Sequence, residues 1–309
     1  EMFNSYFAIS VAVCSACAWL VKHRFRQIVR SLVSRSIVST NQAHPFLFVP
    51  EFQFQVLADE ISSEHEKAGS VVVVGAGIVG VCAAYHLARL GCKVTLLERE
   101  LECCQVATAK SWAWINANAK LPRSYQQFNM YAMDFWRQSF SSYVEWCGSI
   151  IGSTAASIQS VQSYPSELVQ CGVALSLEPS LDLNECNGLV LNHFPSEGFA
   201  DAVAFTKQML RDAVKAGVSL INGANVEQII TDANGFTAVI FRDLKDNQCC
   251  LQTDVVVLAN GASVGSLARC AGWELPMLDR PGRLAVSTPI PPVLRKIIVT
   301  PQASQVHKS

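Results

Sequence analysis

Gly75, Gly77, Gly80 and Glu98 are the residues whose types and spacing first define a chemistry. Val71-Val72-Val73-Val74 runs straight into Gly75-Ala76-Gly77-Ile78-Val79-Gly80. In this pattern the first glycine permits a tight turn. The second lets the backbone approach a pyrophosphate, and the third lets a helix lie close on the sheet. The N–H groups that open such a helix have no partner within it and favour phosphate oxygens. Glu98 stands about 20 residues beyond the glycines, where a carboxylate can hold a ribose hydroxyl. An acid there suits an unphosphorylated ribose, so the cradle is read for FAD or NAD rather than NADP. The motif alone does not choose between those two.

The surrounding elements must position these residues. Four β-branched valines make the strand before the turn. A helical run from Val81 to Leu90 follows, and Gly91 ends it. A second apolar strand, Val94 to Leu97, stops at Glu98. Further on, Leu121-Pro122 opens a long helix. In it Phe128, Tyr131, Phe135 and Trp136 fall near helical spacing and are read as core. Leu168 to Leu177 reads as a strand and turn, Gly188 to Asn192 as a short strand, and Phe194 to Phe199 as a loop. Asp201 is placed to cap a helix carrying Ala202, Phe205, Met209, Ala213 and Ala216, with Gly217 as its stop. Strands are expected over Val218–Ile221, Val226–Thr231 and Ala238–Arg242, with turns at Asn234-Gly235 and Asp246-Asn247. Thr253 to Ala262 is a continuous apolar strand ending in small residues. That suits a parallel sheet buried on both faces and puts Ala259 and Gly261 at its carboxyl edge, where ligands bind.

The chain has 309 residues, enough for two domains or one large α/β domain, and half of it is apolar. A net charge of −1 offers no general attraction for nucleic acid. Twelve cysteines are spread without a disulfide or zinc pattern. Cys103-Cys104 and Cys249-Cys250 are adjacent, so bridging within either pair is strained. Reduced thiols are the expectation, and no metal site is. His65, His86 and His193 have no partner pattern for acid–base work. Arg280 and Arg283 could grip a carboxylate in bidentate fashion. Flanking a Pro-Gly turn, such arginines are more often solvated or paired with a nearby acid.

Residues 2 to 50 contain no Asp or Glu but carry Lys22, Arg24, Arg26, Arg30 and Arg35. Tyr6 to Val21 is apolar but shorter than the ~20 residues that span a bilayer. Basic, Ser-rich, acid-free starts suit an organelle transit peptide, in a mitochondrion or chloroplast. A membrane anchor through residues 6–21, or a cytoplasmic protein, is the alternative. Residues 41 to 68 read as a linker, with the folded body beginning at Gly69.

Several pieces then appear in a shared order: the glycine loop, Glu98, Ser111-Trp112-Ala113-Trp114-Ile115-Asn116, Gly198-Phe199-Ala200-Asp201, Val226, and Val257 to Ala262. The run from Leu275-Pro276 to Arg280-Pro281-Gly282-Arg283 completes it. This order resembles the FAD-dependent oxidoreductases of the D-amino-acid oxidase, glycine oxidase and sarcosine oxidase type. The resemblance covers roughly residues 70 to 309. It implies an α/β fold, a Rossmann-like FAD-binding domain with an inserted, mainly antiparallel β substrate domain that roofs the flavin. The implied boundaries are 1–68 for the targeting or anchor segment and linker, 69–119 with 199–280 for the FAD domain, and 120–198 with 281–309 for a partial substrate domain. It implies FAD rather than NAD, held by Gly75, Ala76, Gly77, Ile78, Val79, Gly80 and Glu98. Arg99 and Ser111 lie beside them, Val226 would meet the adenine through its backbone, and Ala259 and Gly261 would lie near the pyrophosphate or ribityl chain. The implied chemistry is oxidation of the C–N bond of a small amine or amino acid, with hydride passing to flavin. Such proteins continue further than Ser309, so a C-terminally truncated product is expected and no catalytic residue is assigned. An inactive nucleotide-binding remnant and an NAD-dependent dehydrogenase are the competing functions.

Overall fold

A computed structural model describes residues 69–153, 164–182, 184, 188–231, 237–277, 282, 284–286, 288 and 290–300. The expectations for residues 1–68, the Asn234-Gly235 turn, Arg280 and Arg283 lie outside the described residues. In chain order the strands are β1 (Ser70–Val74), β2 (Lys93–Glu98), β3 (Trp114–Ile115), β4 (Val144–Glu145), β5 (Ser149–Ser153), β6 (Glu167–Val169), β7 (Val190–Phe194), β8 (Gly198–Ala200), β9 (Ser219–Asn222), β10 (Asn225–Thr231), β11 (Thr237–Arg242), β12 (Gln248–Thr253), β13 (Val255–Leu258) and β14 (Ile297–Val299). The helices are α1 (Ile78–Arg89), α2 (Arg123–Phe140), α3 (Cys171–Leu177), α4 (Ala202–Lys215) and α5 (Val264–Cys270). Two compact units divide them, one within Ser10–Ser111 and Ala202–Pro281, the other within Trp112–Asp201 and Gly282–Ser309.

The first unit is built on a parallel sheet of order β13-β1-β2-β9. Val71 to Val74 are all buried, because β1 is central and covered on both faces. Val72 and Val74 enter a core with Leu97, Ile229, Val239, Phe241 and Leu267. By strand alternation Val71 and Val73 face the other side, where α1 packs on β1 and β2 and against α4. The antiparallel ribbon β10-β11-β12 supplies the Ile229, Val239 and Phe241 side of the core. β13 is as valine-rich as β1 but lies at the sheet edge, so it is half-buried rather than covered on both faces. The long expected strand from Thr253 is shorter than its apolar run, and Gln248–Thr253 forms β12 before it.

The second unit holds two sheets. One has the order β14-β5-β7-β6, with β14 parallel to β5 and the rest antiparallel. The other is β3-β8-β4. Two local readings change here. Cys171–Leu177 is a helix rather than part of a strand and turn, and its residues Cys171, Ala174 and Leu177 pack with Ile150 and Leu191. Gly198–Ala200 is a strand rather than a loop, because β3 and β4 pair with it from both sides. Three residues carry too little alternation to show this locally. In α2 the buried stripe is Gln126, Asn129, Ala132, Met133 and Trp136, while Phe128, Tyr131 and Phe135 are half-buried at its flanks. Gln126 is tolerated inside because its amide donates to the Ala117 carbonyl at 3.2 Å.

The parallel sheet should be the main source of stability in the first unit. Leu96→Ala, at a side chain with no solvent exposure, is expected to lower unfolding free energy by about 2–5 kcal/mol. Urea unfolding followed by circular dichroism measures this.

Candidate functional site

The glycine loop closes at the end of β1. Gly75 adopts φ +102°, and its N–H donates to the Leu97 carbonyl at 2.7 Å. A Cβ on Gly80 would stand 1.8 Å from the Gly75 carbonyl oxygen, so no side chain fits there. This is the close helix–sheet approach that the third glycine of the motif implies. α1 starts at Ile78, somewhat earlier than the apolar run suggests, with Gly77 as its N-cap. Gly77 supplies no side chain to cap the helix, and the first turn contains no acid. The first turn of the helix therefore carries no acid of its own that would repel a phosphate.

Glu98 ends β2 and turns back onto this loop. One carboxylate oxygen accepts the Ala76 N–H at 2.6 Å, and the other accepts the Glu100 N–H at 2.9 Å. A carboxylate has about four acceptor sites. Two remain for sugar hydroxyls. The structure thus brings Gly75, Ala76, Gly77, Ile78, Gly80 and Glu98 around one turn, with Val79 half-buried in the first turn of α1. Ala259 joins them: its N–H donates to the Val74 carbonyl at 2.9 Å, and its own carbonyl lies 2.7 Å from where a Gly75 Cβ would be. Gly261 follows with φ +62° and leads into α5.

The remaining residues of the set stand apart from this turn. The Arg99 guanidinium pairs with the Glu100 carboxylate at 3.1 Å on the surface, an arrangement that contributes little energy. Ser111 closes the loop that follows β2, and is half-buried. Val226 lies at a bulge in the β10–β11 ladder and packs against the core that holds Val72, Val74 and Leu97. One residue outside the set reaches the helix start. Thr108 is nearly buried, and its hydroxyl oxygen accepts the Ile78 N–H at 3.1 Å. The family resemblance puts the loop from Thr108 to Asn116 close to the flavin but does not single out this hydroxyl. Next to it, Cys104 donates its backbone N–H to the Ala76 carbonyl at 3.3 Å. Burial, with the neighbouring Cys103 adding to it, pushes the Cys104 thiol up to about 12. It stays protonated, and the nine described cysteines are all free. Among the described residues no cluster of His, Cys, Asp and Glu could hold a metal ion.

The second unit contains a different constellation that sequence reasoning missed. Glu197 is completely buried. One of its oxygens accepts the Trp114 indole N–H at 3.0 Å and the Ser149 hydroxyl at 2.5 Å. Burial raises its carboxyl to about 7 despite those donors, the Tyr164 hydroxyl and Lys120. Lys120 is equally buried, and burial lowers its ammonium to about 8 against the pull of Glu197. The residues come from separate strands and loops, so no local spacing announces them.

The sequence pattern of the FAD-dependent oxidoreductase (DAO) family matches residues 70–307. The chain belongs to that family, and the cofactor of the family is FAD. Among solved structures it is similar to L-proline dehydrogenase from P. horikoshii, at 21% identity and a TM-score of 0.56, over 67% of this chain and 56% of that one. It is similar to glycine oxidase from Geobacillus kaustophilus, at 16% identity and a TM-score of 0.59, over 76% and 67%. It is also similar to L-alpha-glycerophosphate oxidase from Mycoplasma pneumoniae, solved with FAD bound, at 16% and 0.55, over 66% and 57%. These likenesses show the fold. The chain spans little more than half the length of the proline dehydrogenase and the glycerophosphate oxidase. The residues of the glycine turn fit FAD: the Cα-only surface, the acid-free helix start and the spare acceptor sites of Glu98 are what its diphosphate and ribose require.

A side chain at Gly77 would press on Thr108, since even a Cβ would lie 3.3 Å from the Thr108 hydroxyl oxygen. Gly77→Val is expected to weaken FAD binding on the order of 100-fold, about 2.7 kcal/mol. Fluorescence titration with FAD checks this, and an unchanged circular dichroism spectrum separates lost binding from lost folding.

Proposed function

We propose that this chain holds FAD in the glycine turn and takes part in oxidising the C–N bond of a small amine or amino acid. The observation that carries the reading is the 2.6 Å contact between the Glu98 carboxylate and the Ala76 N–H. It puts an acid and a phosphate-type turn at one point. In this reading Gly75, Ala76, Gly77, Ile78, Val79 and Gly80 carry the diphosphate, and Thr108 sits beside it. Glu98 accepts hydrogen bonds from the adenosine ribose. Val226, Ala259 and Gly261 line the remainder of the nucleotide site, with Arg99 and Ser111 at its margin. The cofactor part comprises 69–119 and 199–280, and the substrate part 120–198 and 281–309. FAD, when bound, supplies a two-electron acceptor for the hydride leaving the substrate carbon, and water hydrolyses the resulting imine. The protein binds, orients and shields. Glycine oxidase and L-proline dehydrogenase among the similar structures support an amino acid as substrate. The glycerophosphate oxidase makes a C–O bond the natural competitor.

The purified chain should be yellow, with one FAD per chain. Under anaerobic conditions a panel of amino acids should bleach its visible absorbance, while α-glycerophosphate and NADH should not. Bleaching by α-glycerophosphate alone would overturn the C–N assignment, and a colourless chain that takes up no added FAD would overturn the binding assignment.

The acid-free basic segment supports import into an organelle. Residues 1–68 fused to a fluorescent protein should direct it to a mitochondrion or chloroplast. A diffuse cytoplasmic signal would overturn that, and a membrane-bound one would favour anchoring through residues 6–21.

A further inference from the structure

Glu197 ties together the two sheets of the second unit. Its carboxylate takes one hydrogen bond from Trp114 on β3 and one from Ser149 on β5. Its backbone belongs to the same junction, because the Gly148 N–H donates to the Glu197 carbonyl at 2.8 Å. The second carboxylate oxygen is buried and accepts no hydrogen bond of normal geometry, the Tyr164 hydroxyl being the one further donor that acts on the carboxyl group. An orphaned oxygen on a buried carboxylate is costly when the group is charged and tolerable when it carries a proton. With the proton there, the other oxygen still accepts from Trp114 and Ser149, so the neutral form keeps the bridge without a buried net charge.

We propose that Glu197 is a proton-operated latch: the neutral carboxyl group closes β3 onto β5, and ionisation opens the junction to water. This proposal does not rest on the cofactor reading. Charged and polar groups stand on each of the elements that meet at the junction. Lys120 and Tyr164 act on it directly. On β7 and β6, the His193–Glu167 pair lies at 3.4 Å. α2 contributes Arg137, which donates to the Ser196 carbonyl and lies 4.2 Å from the Trp146 ring centroid. Glu145 stands on β4, beside β8. The Lys296 ammonium, before β14, donates to the Cys147 carbonyl at 2.6 Å. Of the carboxyl groups in this set, Glu197 is the fully buried one, whereas Glu167 is largely exposed. The consequence reaches the surface: Trp114 packs on Trp112 at 5.2 Å between ring centroids, and Trp112 is 45% exposed.

The linkage has a definite sign. Between the ordinary carboxylate range and about 7, the folded chain keeps a proton on Glu197 that the unfolded chain has released, so stability falls as pH rises. Lys120 works the other way from about 8 upward, where the unfolded chain holds the proton and stability rises with pH. The two together put a minimum of stability between them.

The test follows the protonated carboxyl by its infrared carbonyl band, and the junction by amide hydrogen exchange at Trp114–Ile115 and Ser149–Ile150. Both are recorded across neutral pH on the full chain. In the native chain the band should vanish with a midpoint near 7. Exchange, corrected for its intrinsic pH dependence, should rise about tenfold over the same range. Glu197→Gln keeps the shape but cannot ionise, and should abolish both changes. Lys120→Met removes the nearby positive charge and should move the midpoint upward, a readout that stands even if the glutamine variant fails to fold. A native chain without a titrating band or with flat exchange would overturn the latch. So would a glutamine variant that keeps both transitions, or a methionine variant with an unmoved midpoint.

Discussion

The first unit depends on how closely α1 approaches the end of β1. The Gly80 position has no room for a Cβ, because the Gly75 carbonyl occupies it. That contact lays the helix close against the end of the strand. Everything else in the cradle is arranged around it. The Leu97 carbonyl receives the Gly75 N–H, Ala259 continues the ladder from β13, and Glu98 is carried by β2 to the Ala76 N–H. A parallel pair fixes these distances because β1 and β2 keep one register over their whole length, from Ser70↔Lys93 to Val74↔Leu97.

The two units solve opposite electrostatic problems. In the first, an acid meets backbone N–H groups at the half-buried end of a strand, where its remaining acceptor sites stay available to a ligand. In the second, an acid is sealed inside with two strong donors and a lysine at whose protonation it pulls. Burying an ion pair costs each charge its hydration, and mutual attraction recovers only part of that. This is why burial moves Glu197 up and Lys120 down, toward the neutral forms, although each alone would favour the other's charge. Glu178 in the same unit shows the contrary balance. Burial pushes its carboxyl up, but the N–H groups of Arg295, Ser180 and Lys296 outweigh burial and hold it below its ordinary value. Backbone donors are what Glu178 has and the orphaned oxygen of Glu197 lacks.

Legibility followed the range of the forces. α1, β2 and the glycine turn could be read because their determinants lie within thirty residues of one another: four valines, three glycines, one acid. α4 could be read from a single apolar stripe. β8 could not, since its three residues are extended only because β3 and β4 flank them. The buried stripe of α2 was legible only in part, at Trp136, for a related reason. Aromatic residues mark apolar area, but Gln126 and Asn129 lie deeper because the Ala117 and Tyr125 carbonyls receive their amides.

By itself the sequence determined the family, the order of the cradle's elements and the sign of the charge at the end of β2, since each rests on short-range geometry that residue type alone dictates. Tertiary structure decided which residues share a point in space. It chose Thr108 over its neighbours for the start of α1, and set β13 at an edge despite its valines. It also drew Trp114, Lys120, Ser149 and Glu197 from distant segments into one dry cluster. The reason is that a hydrogen bond or a buried charge is sensitive to separations of less than an ångström, and such separations between remote segments are settled only when the sheets have packed.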